Sequence, residues 1–548
     1  MKKLIYGKIK LIPSHFWLLA LFLSIGIFLR TYNFHDWLKF SNDQARDAFI
    51  SSQAADKEIA WPLVGPYMSY SGDGDHVEEN SFHLGPIYYY FQIVSAKIFG
   101  NYADKLAYPD VFFGVLSILL LYAFLRIYFE INLSLGLIGF YSASSYSIQY
   151  SRFAWNTNLI PFFTLLFLFC LHKFLDKNEK THWMWAILLG VALGVGFQLH
   201  AIVMVLFLVV SFLVFLFTMK KNYHVWKRWA VVFLIFSALN APQIFSELKT
   251  DLSNTKAFFN FSSHNKAHPL ILLRNDIDCH IEANAQFLSS YGSGNCTYDF
   301  LTLATYGNIR TRTLSKLFQD LIFNAYMLIA IVFSFFGYFL LLKISKNELR
   351  NSQKYFLWLI VLYVICSFIL MFPLSINKFN DLRYYTPTFF VPYVLLGLLF
   401  EFFRRKIKNG YFGLTVVILS GLLIFANAQA IAEMVVSLLA KDRTCSSRSI
   451  TLGELEPVVD YMLSDSKGKK IIYFGGERSL RAIYTPVEYI LKKHGVDSLK
   501  IGVDPSLAPN NDPTYMLSCV SGMKDTYPYK KIGSLYVFRL DNSFQSRI

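Results

Sequence analysis

Two carboxylates four residues apart, Asp43 and Asp47, flank Arg46 in the stretch Phe40-Ser-Asn-Asp-Gln-Ala-Arg-Asp-Ala. On a helix, residues i and i+4 lie on one face, so the two acids share a face with Arg46 beside them. The stretch begins a turn or two beyond an apolar run, which puts the carboxylates close to a membrane surface. Low dielectric and anionic lipid there raise a carboxyl pKa unless a cation or donor offsets them. A carboxylate held this way can act as general base toward a hydroxyl. A solvated loop helix with an ordinary Asp–Arg pair has the same spacing, so spacing alone leaves both readings open.

Cations that could hold an oxyanion lie further along. Arg152, in Tyr150-Ser-Arg-Phe-Ala-Trp-Asn-Thr-Asn, offers a planar fork to a lipid phosphate, or snorkels to headgroups. Lys378 and Arg383, in Asn377-Lys-Phe-Asn-Asp-Leu-Arg-Tyr-Tyr-Thr-Pro, form a second cationic site at the same depth. His200 is a polar residue in an apolar setting, which usually marks a structural hydrogen-bonder. His83 opens an aromatic stretch that ends at Gly100, with Gln92, Ser95 and Lys97 at helical spacing, and this suits a helix lying along the headgroups. The acids Asp73, Asp75, Glu78 and Glu79 around His76 show no recognisable ligand spacing, so an exposed loop is expected there and no metal site. No phosphate-binding loop, zinc-helix motif, cysteine metal spacing or nucleophile elbow is present. No cofactor is expected, and a divalent metal has no support. An enzyme here needs an activated substrate delivered in the membrane.

The elements that must position these residues are membrane spans. Of 548 residues 54% are hydrophobic and 16% charged, against about 25% charged in soluble domains. Runs of about 20 apolar residues fall near 14–30, 108–128, 132–149, 157–174, 183–199, 200–219, 229–245, 321–343, 355–373, 384–403 and 411–432. If Lys2, Lys3, Lys8 and Lys10 are cytoplasmic, this count of eleven places every Lys/Arg-rich loop on the same side. The net charge of +15 is thereby explained without nucleic acid. The first run lacks a small-residue cleavage site and reads as a retained anchor.

The expected fold is a multi-pass α-helical membrane protein, residues 1–440, with interfacial helices in a first exported loop, 31–107, and a second exported loop, 246–318. A small exported α/β domain, 441–548, follows it. Within that tail, helices are expected near 453–465 and 485–494, and strands at 471–474, 514–520 and 530–540. Cys279 with Cys296, and Cys445 with Cys519, share exported segments and suit two disulfides in an oxidising compartment; Cys170 and Cys366 lie inside spans.

In order and sidedness these motifs resemble the GT-C fold glycosyltransferases that use polyprenyl-phosphate-linked sugars. The similarity is to the bacterial branch related to protein O-mannosyltransferases and lipid A aminoarabinose transferases. It is sharpest at Asp43-Gln-Ala-Arg-Asp, His83-Leu-Gly-Pro-Ile-Tyr-Tyr-Tyr, Ser151-Arg-Phe-Ala-Trp-Asn and Arg383-Tyr. The resemblance implies that Asp43 is the catalytic base and that Arg383 or Lys378 handles the donor phosphate; Arg46, Asp47 and His83 are read as supporting residues and Arg152 as a further phosphate candidate. Some relatives carry an Asp where Asn156 stands, so a second carboxylate is in doubt. The implied protein is an inverting hexosyl- or pentosyltransferase of the plasma (inner) membrane, with its active site and tail periplasmic or otherwise extracytoplasmic. Its partners are membrane lipids, the lipid-linked donor and an acceptor glycolipid, glycan or protein. Two rivals stand beside it. A transporter or lipid flippase usually shows acids in mid-span, and no acid is read in the span interiors here. A membrane-anchored assembly or interaction protein would work through its tail.

Overall fold

The computed structural model of the chain describes residues 14–69, 81–176, 181–221, 225–261, 269–290, 296, 298–299, 304–305, 314–372, 382–407, 409–440, 450–502, 513–520 and 527–540. The first half runs α1 (Ser14–Thr31), α2 (Asn42–Ala55), the antiparallel pair β1 (Tyr67–Ser69) and β2 (Ser81–His83), α3 (Ile87–Phe99), α4 (Ala103–Leu106), α5 (Tyr108–Leu125), α6 (Ile131–Ser142), α7 (Ser145–Gln149) and α8 (Ile160–Leu175). Next come α9 (His182–Leu199), α10 (Ala201–Lys221), α11 (Trp226–Lys249), α12 (Ser253–Phe261), α13 (Pro269–Ser289), the pair β3 (Tyr298–Asp299) and β4 (Ala304–Thr305), α14 (Leu314–Asn347), α15 (Asn351–Met371), α16 (Val391–Lys406) and α17 (Asn409–Leu439).

Nine of the described helices are long and apolar enough to cross a membrane, and the 3-10 turn Leu382–Thr388 with α16, bent by 53°, makes a tenth. The remaining expected segment, 132–149, is helical but broken. Its apolar part is the 12-residue α6, about 18 Å long and short of the ~30 Å hydrocarbon core. Serine chemistry causes the break: the Ser144 hydroxyl accepts from the Ser147 N–H at 3.4 Å and caps α7 as a new helix.

The stretch from His83 to Gly100 is an amphipathic helix, α3, rather than a span. Tyr88, Gln92 and Ser95 are buried, whereas Val94, Ile98 and Phe99 are 47%, 67% and 56% exposed. Polar groups inward and apolar groups outward is the arrangement of a helix that meets lipid. One core fills the space between the spans, from Phe124 and Phe356 to Leu206 and Tyr393.

The tail holds α18 (Leu452–Asp465), β5 (Ile471–Gly476), α19 (Tyr484–Lys493), β6 (Asp497–Gly502), β7 (Thr514–Ser518), β8 (Tyr529–Ile532) and β9 (Leu535–Leu540). Its five strands are ordered β6-β5-β7-β9-β8, parallel around β5 and antiparallel beyond β7. The run 530–540, expected as one strand, is a hairpin: Gly533 takes φ +56° between β8 and β9, a conformation that costs a glycine little. β6, Asp-Ser-Leu-Lys-Ile-Gly, was not expected, because two apolar residues, Leu499 and Ile501, make too short an alternation to mark a strand. The tail shares its core with the first loop: Leu38, Phe40, Ala48 and Leu106 pack in one cluster with Leu452, Val459, Val487 and Tyr489.

Candidate active site

A cavity of about 1120 Å³ opens where the tail meets the ends of the spans. Asp43 reaches it from α2, Tyr150, Arg152 and Trp155 from the turn after α7, Arg383 from the bent turn before α16, and Glu433 from α17. Four separate elements thus bring the candidates to one place.

The acid side is built on the first turn of α2. Ser41 N donates to Gln44 Oε1 at 3.2 Å, half of a capping box that fixes where this helix begins. Asp43 then projects into the cavity, its side chain 53% exposed, with Arg46 Nη1 at 3.5 Å. Arg46 turns its other edge to Asp47, Nη2 to Oδ1 at 2.8 Å, and lies over the Tyr67 ring at 4.5 Å. Asp47 is buried, accepts from Tyr89 OH at 3.0 Å, and leaves Oδ2 without a hydrogen bond. Burial pushes the Asp47 carboxyl up to about 6, although Arg46 pulls the other way. One guanidinium thus meets two acids, one open and the other buried.

On the cationic side, the Arg383 guanidinium lies 5.1 Å from the Trp155 ring and 5.0 Å from the Tyr384 ring, and Nη2 donates to Tyr384 OH at 3.2 Å. Stacking on two aromatic faces fixes the plane of the guanidinium. Arg152 also borders the cavity, and it bonds to the end of α1. Nη1 donates to Leu29 O at 2.9 Å and Nη2 to Tyr32 O at 2.7 Å, which caps the carbonyl end of α1. Arg152 therefore caps α1 while it borders the cavity. Burial pushes this guanidinium down to about 10, so it stays charged at neutral pH.

Other expected residues fall away from the cavity. His83 sits on β2, its Nδ1 3.1 Å from Gly65 O, and does not line the cavity. Asn156 donates to Leu199 O and His200 Nδ1 accepts from Ile202 N at 3.3 Å, so both shape the break between α9 and α10. Cys279 and Cys296 form the expected disulfide and Cys519 is disulfide-bonded. Lys378, Cys445 and the acids around His76 lie outside the described residues.

The sequence reading missed Asp110, Tyr88, Tyr89, Trp155 and Glu433. Asp110 stands at the end of a span, not in its interior, and was not singled out. It lies in the first turn of α5, fully buried, and accepts from Trp155 N and Asn158 Nδ2, each at 3.0 Å, and from Tyr88 OH at 3.1 Å. A lone acid in an apolar run was the available signal. Among the described residues no group of three or more His, Cys, Asp or Glu could hold a metal ion.

Residues 83–242 match the family model described as dolichyl-phosphate-mannose-protein mannosyltransferase. Among curated proteins none matches significantly. Among solved structures, ArnT from Cupriavidus metallidurans in the apo state is similar over 97% of this chain and 99% of its own, with TM-score 0.55 and 12% identity. The same protein bound to undecaprenyl phosphate also has TM-score 0.55 and 12% identity, covering 96% of this chain and 98% of its own. The Archaeoglobus fulgidus oligosaccharyltransferase AglB, in complex with an inhibitory peptide and a dolichol-phosphate, matches with TM-score 0.52 and 12% identity over 93% of this chain and 70% of its own. At such identities the shared property is the fold, and the chain is a multi-pass membrane protein built on the GT-C glycosyltransferase fold.

Proposed function

We propose that the protein transfers a sugar, with inversion, from a polyprenyl-phosphate carrier to an acceptor hydroxyl at the outer face of the membrane. The observation that carries this reading is that Asp43 and Arg383 line one cavity at the ends of the spans. The relatives solved with undecaprenyl phosphate and with a dolichol-phosphate support a lipid-linked donor. Asp43 takes the proton of the acceptor hydroxyl. The oxygen attacks the anomeric carbon, a new C–O bond forms, and the bond from that carbon to the phosphate oxygen breaks. Its electron pair leaves with the polyprenyl phosphate, whose growing charge meets Arg383. Fixed cations at a developing oxyanion are often the largest contribution to the rate, on the order of 100-fold for a single donor. The reaction uses no redox step and no nucleotide.

The test is transfer of labelled sugar from polyprenyl phosphate to a membrane extract by the purified protein. Asp43→Asn keeps the size of the side chain and removes the base, and is expected to slow transfer by about 100-fold or more. Transfer that continues at the unaltered rate removes the proposal. Movement of the lipid-linked sugar across vesicles without any new covalent product would favour a flippase instead.

A further inference from the structure

We infer that two adjacent tyrosines, Tyr88 and Tyr89 on α3, position the two halves of the site separately: Tyr89 sets Asp43 through Asp47 and Arg46, and Tyr88 sets Arg383 through Asp110 and Trp155. The inference rests on the transfer reading above. Successive residues of a helix point about 100° apart, so neighbours on α3 must reach different partners. Both tyrosines are buried, at 0% and 2% exposure, which makes their hydroxyls fixed points rather than solvated ones.

Tyr89 faces α2. Its hydroxyl and the Arg46 guanidinium converge on the same oxygen, Oδ1 of Asp47, at 3.0 Å and 2.8 Å. That shared oxygen holds Arg46 3.5 Å from Asp43 Oδ1. Without the tyrosine hydroxyl the buried carboxylate keeps only the guanidinium, and the oxygen that holds Arg46 3.5 Å from Asp43 is no longer anchored to α3.

Tyr88 faces α5. It completes a set of three neutral donors around Asp110, the other two being Trp155 N and Asn158 Nδ2. A buried carboxylate needs such donors, and here two of them belong to the turn that carries Trp155. Asn158 Nδ2 also donates to Phe153 O at 2.7 Å, so Asp110 and Asn158 together close the turn Phe153–Asn158. The Trp155 indole is then fixed beneath Arg383, 5.1 Å away. Asp110, Tyr88 and Tyr89 do not line the cavity, so they are positioning residues.

The experiment uses full-length protein in vesicles with a labelled polyprenyl-phosphate sugar, and measures binding of polyprenyl phosphate alone in parallel. Tyr88→Phe, which removes one buried hydrogen bond to Asp110, is expected to raise the donor KM about tenfold and leave the pH profile of kcat unchanged. Tyr89→Phe is expected to lower kcat about tenfold and move its pH profile, with donor KM unchanged. Trp155→Phe, which retains the backbone bond to Asp110, should weaken the donor as Tyr88→Phe does. In double variants, Tyr88→Phe is non-additive with Arg383→Lys and Tyr89→Phe is additive with it. Matching changes in kcat and KM for the two tyrosine variants, or no change in either, would overturn the inference. If the unaltered protein binds polyprenyl phosphate but transfers nothing, the transfer reading fails; loss of that binding in Tyr88→Phe and its retention in Tyr89→Phe would still sustain the division.

Discussion

Arg46 serves two acids in different surroundings, one open to the cavity and one buried. Burial raises the Asp47 carboxyl from the ordinary 3.8 to about 6, so the folded chain binds this proton more tightly than the unfolded one. Its contribution to stability is therefore fully present below about 3.8 and is lost as pH rises through about 6. Activity should run in the opposite direction. Below about 6 a neutral Asp47 releases Arg46 toward Asp43, where the guanidinium competes with the acceptor hydroxyl for the carboxylate oxygens. Transfer is expected to fall as pH drops through about 6, and Asp47→Asn should be slow and flat over the same range. A rate profile from about pH 5 to about pH 8 checks this, and a profile for Asp47→Asn that overlays the unaltered one contradicts it. The paired acids at 43 and 47 were legible because i,i+4 geometry is local. Which of them faces solvent was not, because Tyr89 and the rest of α3 decide that from 42 residues away.

Among the elements, α2 is held between the membrane part and the tail. Ser52 Oγ lies 3.0 Å from Tyr489 OH on α19, Thr485 Oγ1 donates to Asn42 Oδ1 at 2.7 Å, and Leu452 N donates to Leu38 O at 2.8 Å. His35 adds a titrating contact: Nε2 is 2.9 Å from Glu456 Oε2 on α18, and Nδ1 is 3.2 Å from Asp104 Oδ2 on α4. Burial alone lowers the His35 pKa, but the hydrogen bonds and charges of Glu456 and Asp104 outweigh it and raise the value. The charged latch is thus complete below the ordinary value of 6.5 and is lost as pH rises through the higher folded one. The tail is expected to resist protease better on the acid side of that range, and His35→Phe should abolish the difference. Equal pH dependence in His35→Phe and unaltered protein would show that the latch contributes nothing. A tail reading as a separate α/β unit was the natural expectation from sequence. Its joint core with the first loop depends on contacts more than 350 residues apart, as between Tyr102 OH and Glu456 Oε1 at 2.7 Å.

For the whole molecule, the basic end of α16 and the cavity lie at opposite ends. α16 runs from the Arg383 turn to Arg404, Arg405 and Lys406, and 16 residues of helix span about 24 Å. At its far end Arg404 Nη1 meets Glu130 Oε2 at 2.7 Å, at the start of α6, whereas α7 beyond α6 lines the cavity. If the basic ends face the cytoplasm, as the distribution of Lys and Arg over the loops predicts, the cavity faces outward. A cysteine placed at position 43 should therefore react with a membrane-impermeant thiol reagent added outside intact cells. Labelling only after the cells are opened would put the site on the wrong side for the proposed reaction.

The sequence by itself determined which segments are apolar, that the cations gather in alternate loops between them, and that Asp43 and Arg383 deserve to be compared. Those properties follow from composition and short-range periodicity, which are written within a few tens of residues. Only the tertiary structure decided that Arg152 caps α1, that Asp110 anchors the turn carrying Trp155, and that Tyr88 and Tyr89 divide their hydroxyls between two buried carboxylates. Each of these depends on which donor meets which acceptor once distant helices pack, as when Arg152 reaches Tyr32 O across 120 residues. Burial then removes water as the competing partner and so fixes the role of each group.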